Sequence, residues 1–149
     1  MNSKLLYELP DTFDEDGTLI VGIPHSKDIG MRMHYAENGV AILSVPWAAR
    51  LVGDPESGIL HGGVVTALLD TACGAAVMAR SKRPASTATL DLRIDYMRPA
   101  RKGARILCRA ECYRMTRSIA FTRATAYHDD NEDMVATASG AFMIDRQKS

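Results

Sequence analysis

Apolar and polar positions follow two different rhythms along the chain. Residues 31–47 carry two short apolar runs separated by Asn38-Gly39, a pair that tolerates the positive φ of a tight turn, so the pattern predicts a β-hairpin. Residues 64–79 read as helix, rich in Ala and Leu, with Val65, Leu68, Leu69, Ala72, Ala76 and Ala79 recurring at helical spacing. The remaining faces of that helix are also apolar or small and Asp70 is its single charge, which predicts a buried helix. Small residues at Ala67, Ala72, Gly74, Ala75 and Ala76 would let a neighbouring backbone approach closely.

Beyond Pro84 the rhythm changes to strict alternation. Ala88, Leu90, Leu92, Ile94 and Tyr96 fall on one side and Thr89, Asp91, Arg93 and Asp95 on the other, predicting a strand with one dry face. Further strand-like runs at 104–115, 119–128 and 134–144, parted by polar turns such as His128-Asp129-Asp130-Asn131, predict an antiparallel meander. Residues 1–30 are punctuated by Pro10, Gly17, Pro24 and Gly30 and read as irregular, with room for a short helix; we take them as an N-terminal extension of the same domain as residues 31–149. A hairpin, one helix and a run of strands bury their apolar surfaces together if the sheet curls around the helix, which is an α+β architecture.

Composition narrows the field. With 149 residues and 46% hydrophobic content there is material for one ordinary core. Eighteen basic and 18 acidic side chains cancel, so no global field favours a polyanion or a membrane surface, and neither nucleic acid nor membrane is the expected partner. No apolar run approaches the roughly 18 to 20 residues of a membrane span, and the N-terminus lacks the apolar centre of a signal peptide, so the expectation is a soluble, cytoplasmic protein. Cys73, Cys108 and Cys112 form no CxxC pair and lie in apolar segments; they read as buried reduced thiols, and no metal site is expected.

Two places could carry chemistry. A carboxylate within an apolar helix is costly to ionise without partners, so Asp70 should have either a raised pKa or a committed set of hydrogen bonds, and either condition suits a general base or nucleophile. Alternatively Asp70 faces solvent through a gap, or caps a loop. At His61-Gly62-Gly63 two glycines allow close passage of a ligand, and the free N–H groups and dipole of a helix start favour an oxyanion. Taken alone, the same tripeptide is equally an ordinary loop-to-helix turn.

The combination is more specific than its parts. Gly58-x-x-His61-Gly62-Gly63 followed in one helix by Leu69-Asp70-Thr71-Ala72, with Thr89-Leu90-Asp91-Leu92-Arg93-Ile94-Asp95-Tyr96-Met97-Arg98-Pro99-Ala100 downstream, resembles the PaaI-like acyl-CoA thioesterases of the hotdog superfamily over about residues 31–144. The resemblance implies a five- or six-stranded antiparallel sheet wrapped around the helix, homodimers or homotetramers with active sites where subunits meet, an acyl-CoA substrate and no cofactor. It further implies that Asp70 is the catalytic carboxylate, that the Gly62 N–H is the oxyanion donor, and that His61 shapes the turn. Thr89 stands where relatives often carry a water-positioning serine, although the alternation puts it on the polar side of its strand. Gly63, Arg98 and Arg117 are the expected CoA contacts, with Arg101, Lys102, Arg105 and Arg114 as further guanidinium or ammonium candidates. One departure stands out: relatives carry Asn six residues before the histidine, and here that position is Pro55. Asp54, Glu56 or Ser57 would have to substitute, or the oxyanion contact rests on Gly62 alone. A non-catalytic acyl-CoA or acyl-lipid binding protein is the alternative function, and pocket depth, hence acyl preference, depends on subunit packing that the sequence does not define.

Overall fold

Residues 9–80, 84–129 and 134–146 are described by a computed structural model. In chain order the elements are β1 (Thr18–Leu19), α1 (Pro24–Asp28), β2 (Arg32–Glu37), β3 (Val40–Val45), a 3-10 turn at Ala49–Leu51, α2 (Gly62–Met78), β4 (Ser86–Tyr96), β5 (Ile106–Met115), β6 (Ile119–His128) and β7 (Met134–Asp145). The strands form one antiparallel sheet in the order β1-β2-β3-β5-β6-β7-β4. After α2 the chain runs to the far edge as β4, then returns to the middle, where β5 pairs with β3 and the meander β5-β6-β7 closes back on β4. Because α2 touches every strand from β2 to β7, including edge strand β4, the sheet must curl around it. This is the hotdog architecture of the α+β class.

The predicted hairpin is β2–β3. Asn38 (φ 53°) and Gly39 (φ 78°) both take the left-handed conformation, the combination that a two-residue turn needs to match strand twist. The sheet has seven strands among the described residues, one or two more than expected, because the N-terminal region is not irregular throughout: β1 pairs with β2, and Pro24 opens the short α1 at a position where its missing N–H costs nothing. Arg32 fastens this region by donating from Nε to the Asp16 carbonyl (2.7 Å) and from Nη2 to the Gly17 carbonyl (2.8 Å), while Phe13 stacks on His34 with centroids 5.1 Å apart. Of the expected turn at 128–131, positions 130 and 131 lie outside the described residues.

Helix α2 supplies the centre of the core, but only along one side. Val64, Val65, Leu68, Leu69, Ala72, Cys73, Ala76 and Val77 are buried, whereas Thr66, Ala67, Asp70, Gly74 and Ala75 are half-exposed. The expectation of a helix buried all round is therefore corrected: one stripe of it faces β4 and stays half-exposed. The buried side packs on Leu43, Val45 and Ile106 of the central strands, and fully burying each such aliphatic side chain stabilises the fold by about 1.5–3 kcal/mol.

Strand β4 departs from simple alternation. Thr89 pairs with Phe142 and Asp91 with Ala141, so Leu90 is an unpaired bulge residue, 57% exposed. A bulge inserts one residue and reverses the sidedness of everything beyond it. Upstream, Thr87 and Thr89 face α2; downstream, Leu92, Ile94 and Tyr96 do. The expected single dry face, with Thr89 on the polar side, is thus corrected, and Thr89 points at the helix.

Candidate active site

His61 begins the site. It is the N-cap of α2, and its Nδ1 accepts the Gly63 N–H at 2.8 Å, which assigns the ring proton to Nε2. A side chain at position 63 would meet that ring at 2.9 Å, so Gly63 keeps the cap intact. The Val64 N–H goes to the His61 carbonyl at 2.9 Å. That leaves the Gly62 N–H, the first in the helix, without an acceptor among the described residues, as helix geometry requires at N1. A Cβ at Gly62 would meet nothing within 4 Å, so the bare backbone there faces open space.

Gly62 lies on a cleft of about 360 Å³ whose other walls include Leu60, Val65, Tyr96, Met97 and Arg98. Tyr96 bridges the cleft wall to the helix: its hydroxyl donates to the Gly62 carbonyl at 3.4 Å and is hydrogen-bonded to Thr66 Oγ1, which in turn reaches the Gly62 carbonyl at 3.2 Å.

Two turns further along α2, Thr89 Oγ1 donates to Asp70 Oδ1 at 2.6 Å. Asp70 is half-buried, and its Oδ2 takes no hydrogen bond from the described residues. The carboxylate thus has a committed hydrogen bond. Gly62, Thr66, Asp70 and Gly74 recur every four residues and form one stripe facing Tyr96, Thr89 and Thr87.

The expected residues thus gather in two groups. Asp70 meets Thr89; His61, Gly62, Gly63 and Arg98 collect at the helix start. Arg117 joins neither. Its carbonyl accepts from Arg146 next to the β7 residue that pairs with Ser86, so it lies at the opposite end of β4 from Arg98. Arg105 is committed elsewhere, gripping Glu15 at 2.6 Å and Asp129 at 2.7 Å, which removes it as a free phosphate ligand.

The loop before His61 is self-contained. Ser57 Oγ donates to Asp54 Oδ2 at 2.7 Å and the Glu56 N–H to Asp54 Oδ1 at 3.2 Å, and these bonds hold the Asp54 carboxyl below the usual range. Asp54 is then an acceptor only, and the Ser57 hydrogen is spent on it, so neither replaces the donor that Pro55 lacks. Cys73, on the dry side of α2, is pushed up to about 11 by burial, and its neighbours include Thr122; a protonated thiol there is no nucleophile. Among the described residues no group of three or more His, Cys, Asp or Glu side chains could hold a metal ion, and no helix is long and apolar enough to cross a membrane.

Tyr96 and Thr66 were not among the expected site residues. The available signal was the four-residue spacing Gly62-Thr66-Asp70, the polar stripe of an otherwise apolar helix; Tyr96 looked like the last member of a dry strand face, and its hydroxyl had no partner visible in the sequence.

Comparison with known proteins agrees with the fold. Residues 57–135 match the family described as the Thioesterase superfamily. The medium/long-chain acyl-CoA thioesterase YigI of Escherichia coli K12 is 27% identical over 135 residues, which cover 82% of this chain and 86% of YigI. A solved structure of a Pseudomonas aeruginosa protein is 39% identical with a TM-score of 0.73, covering 82% of this chain and 90% of that one. The phenylacetic acid degradation protein PaaI of Thermus thermophilus, solved as a point mutant, is 26% identical with a TM-score of 0.71, covering 84% of this chain and 100% of that one. With the curled sheet, the capped helix and the family match in agreement, the chain belongs to the thioesterase superfamily as a PaaI-like hotdog thioester hydrolase.

Proposed function

We propose that the protein hydrolyses an acyl-CoA to the free acid and CoA, with Asp70 as general base. The observation that carries this reading is the Thr89–Asp70 contact: one carboxylate oxygen is fixed by a hydroxyl, and the other is left to hold a water molecule. Asp70 takes a proton from that water as its oxygen bonds to the thioester carbon. The carbonyl oxygen becomes an oxyanion that accepts the Gly62 N–H, and collapse of the tetrahedral intermediate breaks the C–S bond, releasing CoA thiolate. Thr89 acts as the positioning residue for Asp70, and His61 and Gly63 as the cap that keeps the Gly62 N–H aimed outward. Arg98, on the wall of the same cleft, suits a CoA phosphate.

Gly62 and Asp70 are eight positions apart on one helix, about 12 Å along its axis. One thioester carbon cannot lie near 3 Å from both. A second copy related by a two-fold axis would set Gly62 of one chain against Asp70 of the other, so the working enzyme is a homodimer, or a dimer of dimers, with shared sites. The unpaired outer edge of the eleven-residue β4, with Leu90, Tyr96 and Met97 exposed beside it, suits such a contact. An acyl-CoA substrate also suits a cytoplasmic location.

The test is release of free CoA thiol from a panel of acyl-CoAs, beginning with medium and long chains as the name of the Escherichia coli relative suggests, for wild type and Asp70→Asn. Turnover that vanishes in the variant while melting stays unchanged supports the assignment; near-normal turnover in the variant sinks it. Tight binding without turnover in either protein makes this an acyl-CoA binding protein, the reading that Pro55 favours.

A further inference from the structure

The oxyanion side of the proposed site has one backbone donor, the Gly62 N–H, and the loop that would offer a second is occupied with itself: Pro55 has no N–H, and Asp54, Ser57 and the Glu56 N–H are bound to one another. The same cleft contains another hydrogen-bond donor. Tyr96 shares the cleft with Gly62, is 53% exposed, and its hydroxyl is held over the first turn of α2 by Thr66 Oγ1 and, at 3.4 Å, by the Gly62 carbonyl.

We propose that Tyr96 is a catalytic residue, donating its phenolic O–H to the thioester carbonyl oxygen beside the Gly62 N–H, and that Thr66 is the positioning residue that holds and polarises the phenol. This deepens the reading given above and rests on it.

The hydrogen-bond accounting favours the role. Each hydroxyl has one hydrogen and two lone pairs. In the free protein Thr66 donates to the Gly62 carbonyl at 3.2 Å, and the Tyr96 hydrogen is shared between Thr66 and that carbonyl. When a carbonyl oxygen enters, the Thr66 hydrogen can swing to the Tyr96 oxygen while the Tyr96 hydrogen turns to the substrate. The Gly62 carbonyl is not orphaned, because as an α-helical residue it keeps the Thr66 N–H four residues on. The rearrangement costs no buried polar group its partner, and a hydroxyl that receives a hydrogen bond donates a stronger one.

The experiment pairs turnover with a readout that does not depend on it. Wild type, Tyr96→Phe and Thr66→Val are compared for kcat and KM with the best acyl-CoA. Each is also saturated with a dethia analogue, in which a methylene replaces the thioester sulfur, and the carbonyl stretch of the bound ketone is recorded by infrared difference spectroscopy. Tyr96→Phe should lower kcat by about 10²-fold, the usual loss for one oxyanion donor, with KM changed by less than about threefold, and should raise the bound carbonyl frequency toward its value in water. Thr66→Val should move both quantities the same way by a smaller amount. Wild-type turnover with Tyr96→Phe within about twofold of it and an unchanged carbonyl frequency overturns the proposal and leaves the hydrolysis reading standing. Absence of wild-type thiol release sinks the hydrolysis reading itself. Should Tyr96→Phe melt well below wild type, Thr66→Val decides alone, since it keeps the phenol: a raised carbonyl frequency supports the proposal and an unchanged one overturns it.

Discussion

Two faces of α2 differ less in size of residue than in what they meet. One carries Val65, Leu68, Leu69, Ala72, Cys73 and Ala76 into contact with the central strands, where all are buried. The other carries Gly62, Thr66, Asp70 and Gly74 past β4, where each polar member finds a hydroxyl from that strand: Tyr96 for Thr66, Thr89 for Asp70. The first face is held by dispersion and water exclusion, which tolerate no polar group without a partner. The second keeps its polar groups half in contact with a cleft. Stability and chemistry are therefore separated by about half a turn of one helix, and substitutions should sort by face.

The sharpest way to break that separation is to set Asp70→Asn against Leu68→Ala. Asparagine keeps the volume and a Thr89 contact but cannot take a proton, so thiol release should fall by about 10²- to 10⁴-fold with the urea midpoint unmoved. Leu68 is fully buried, and its truncation leaves a cavity that lowers unfolding free energy by about 2–5 kcal/mol. If Asp70→Asn unfolds the protein as readily as Leu68→Ala does, the polar face is structural and the division drawn here fails.

The buried face also has a pH signature. Burial raises Cys73 from an ordinary value near 9 to about 11, and raises Cys108 and Cys112 as well. A thiol that ionises less readily in the folded chain leaves the unfolded chain to lose its proton first. Stability is then intact below pH 9 and declines as pH rises toward 11, by up to about 2–3 kcal/mol for Cys73. Urea unfolding from pH 8 to 11 should reveal the decline, with a shallower slope in Cys73→Ala; parallel slopes would remove Cys73 as its source.

On the polar face, Thr89→Val removes the bond to Asp70 while keeping the shape, and should lower kcat by about tenfold with Thr89→Ser restoring most of it, consistent with one charge-assisted hydrogen bond. The residue also marks the limit of what the sequence made legible. The hairpin at Asn38-Gly39, the helix and the meander could be read from turn chemistry and periodicity, while the link between Asp70 and His61-Gly62-Gly63 came from the family pattern alone. What could not be read was the bulge at Leu90, because nothing in Ala88-Thr89-Leu90-Asp91 interrupts the alternation. A one-residue slip is set by pairing with β7, a long-range contact, and it moved Thr89 from the predicted polar side to the helix. Tyr96 was hidden for a different reason: its side of the strand was anticipated, but its hydroxyl had no visible partner until Thr66 was placed opposite it.

Gly74 offers the smallest effect and a test of whether the polar face is closed by this chain or by something else. A methyl group there would meet only a Phe142 ring carbon and the Thr87 methyl, both at 3.9 Å, which is ordinary contact. Within one chain, then, Gly74→Ala gains helix propensity without a clash and should stabilise the fold by about 1 kcal/mol. A rise in urea midpoint of that size, measured on the assembled protein with thiol release followed alongside, means that the space beside Gly74 is free. A fall instead means that a partner's backbone packs against the bare glycine. A rise accompanied by a loss of activity confined to the longer acyl chains would identify the acyl tail as what runs past Gly74, one turn beyond the carboxylate that activates water against its head.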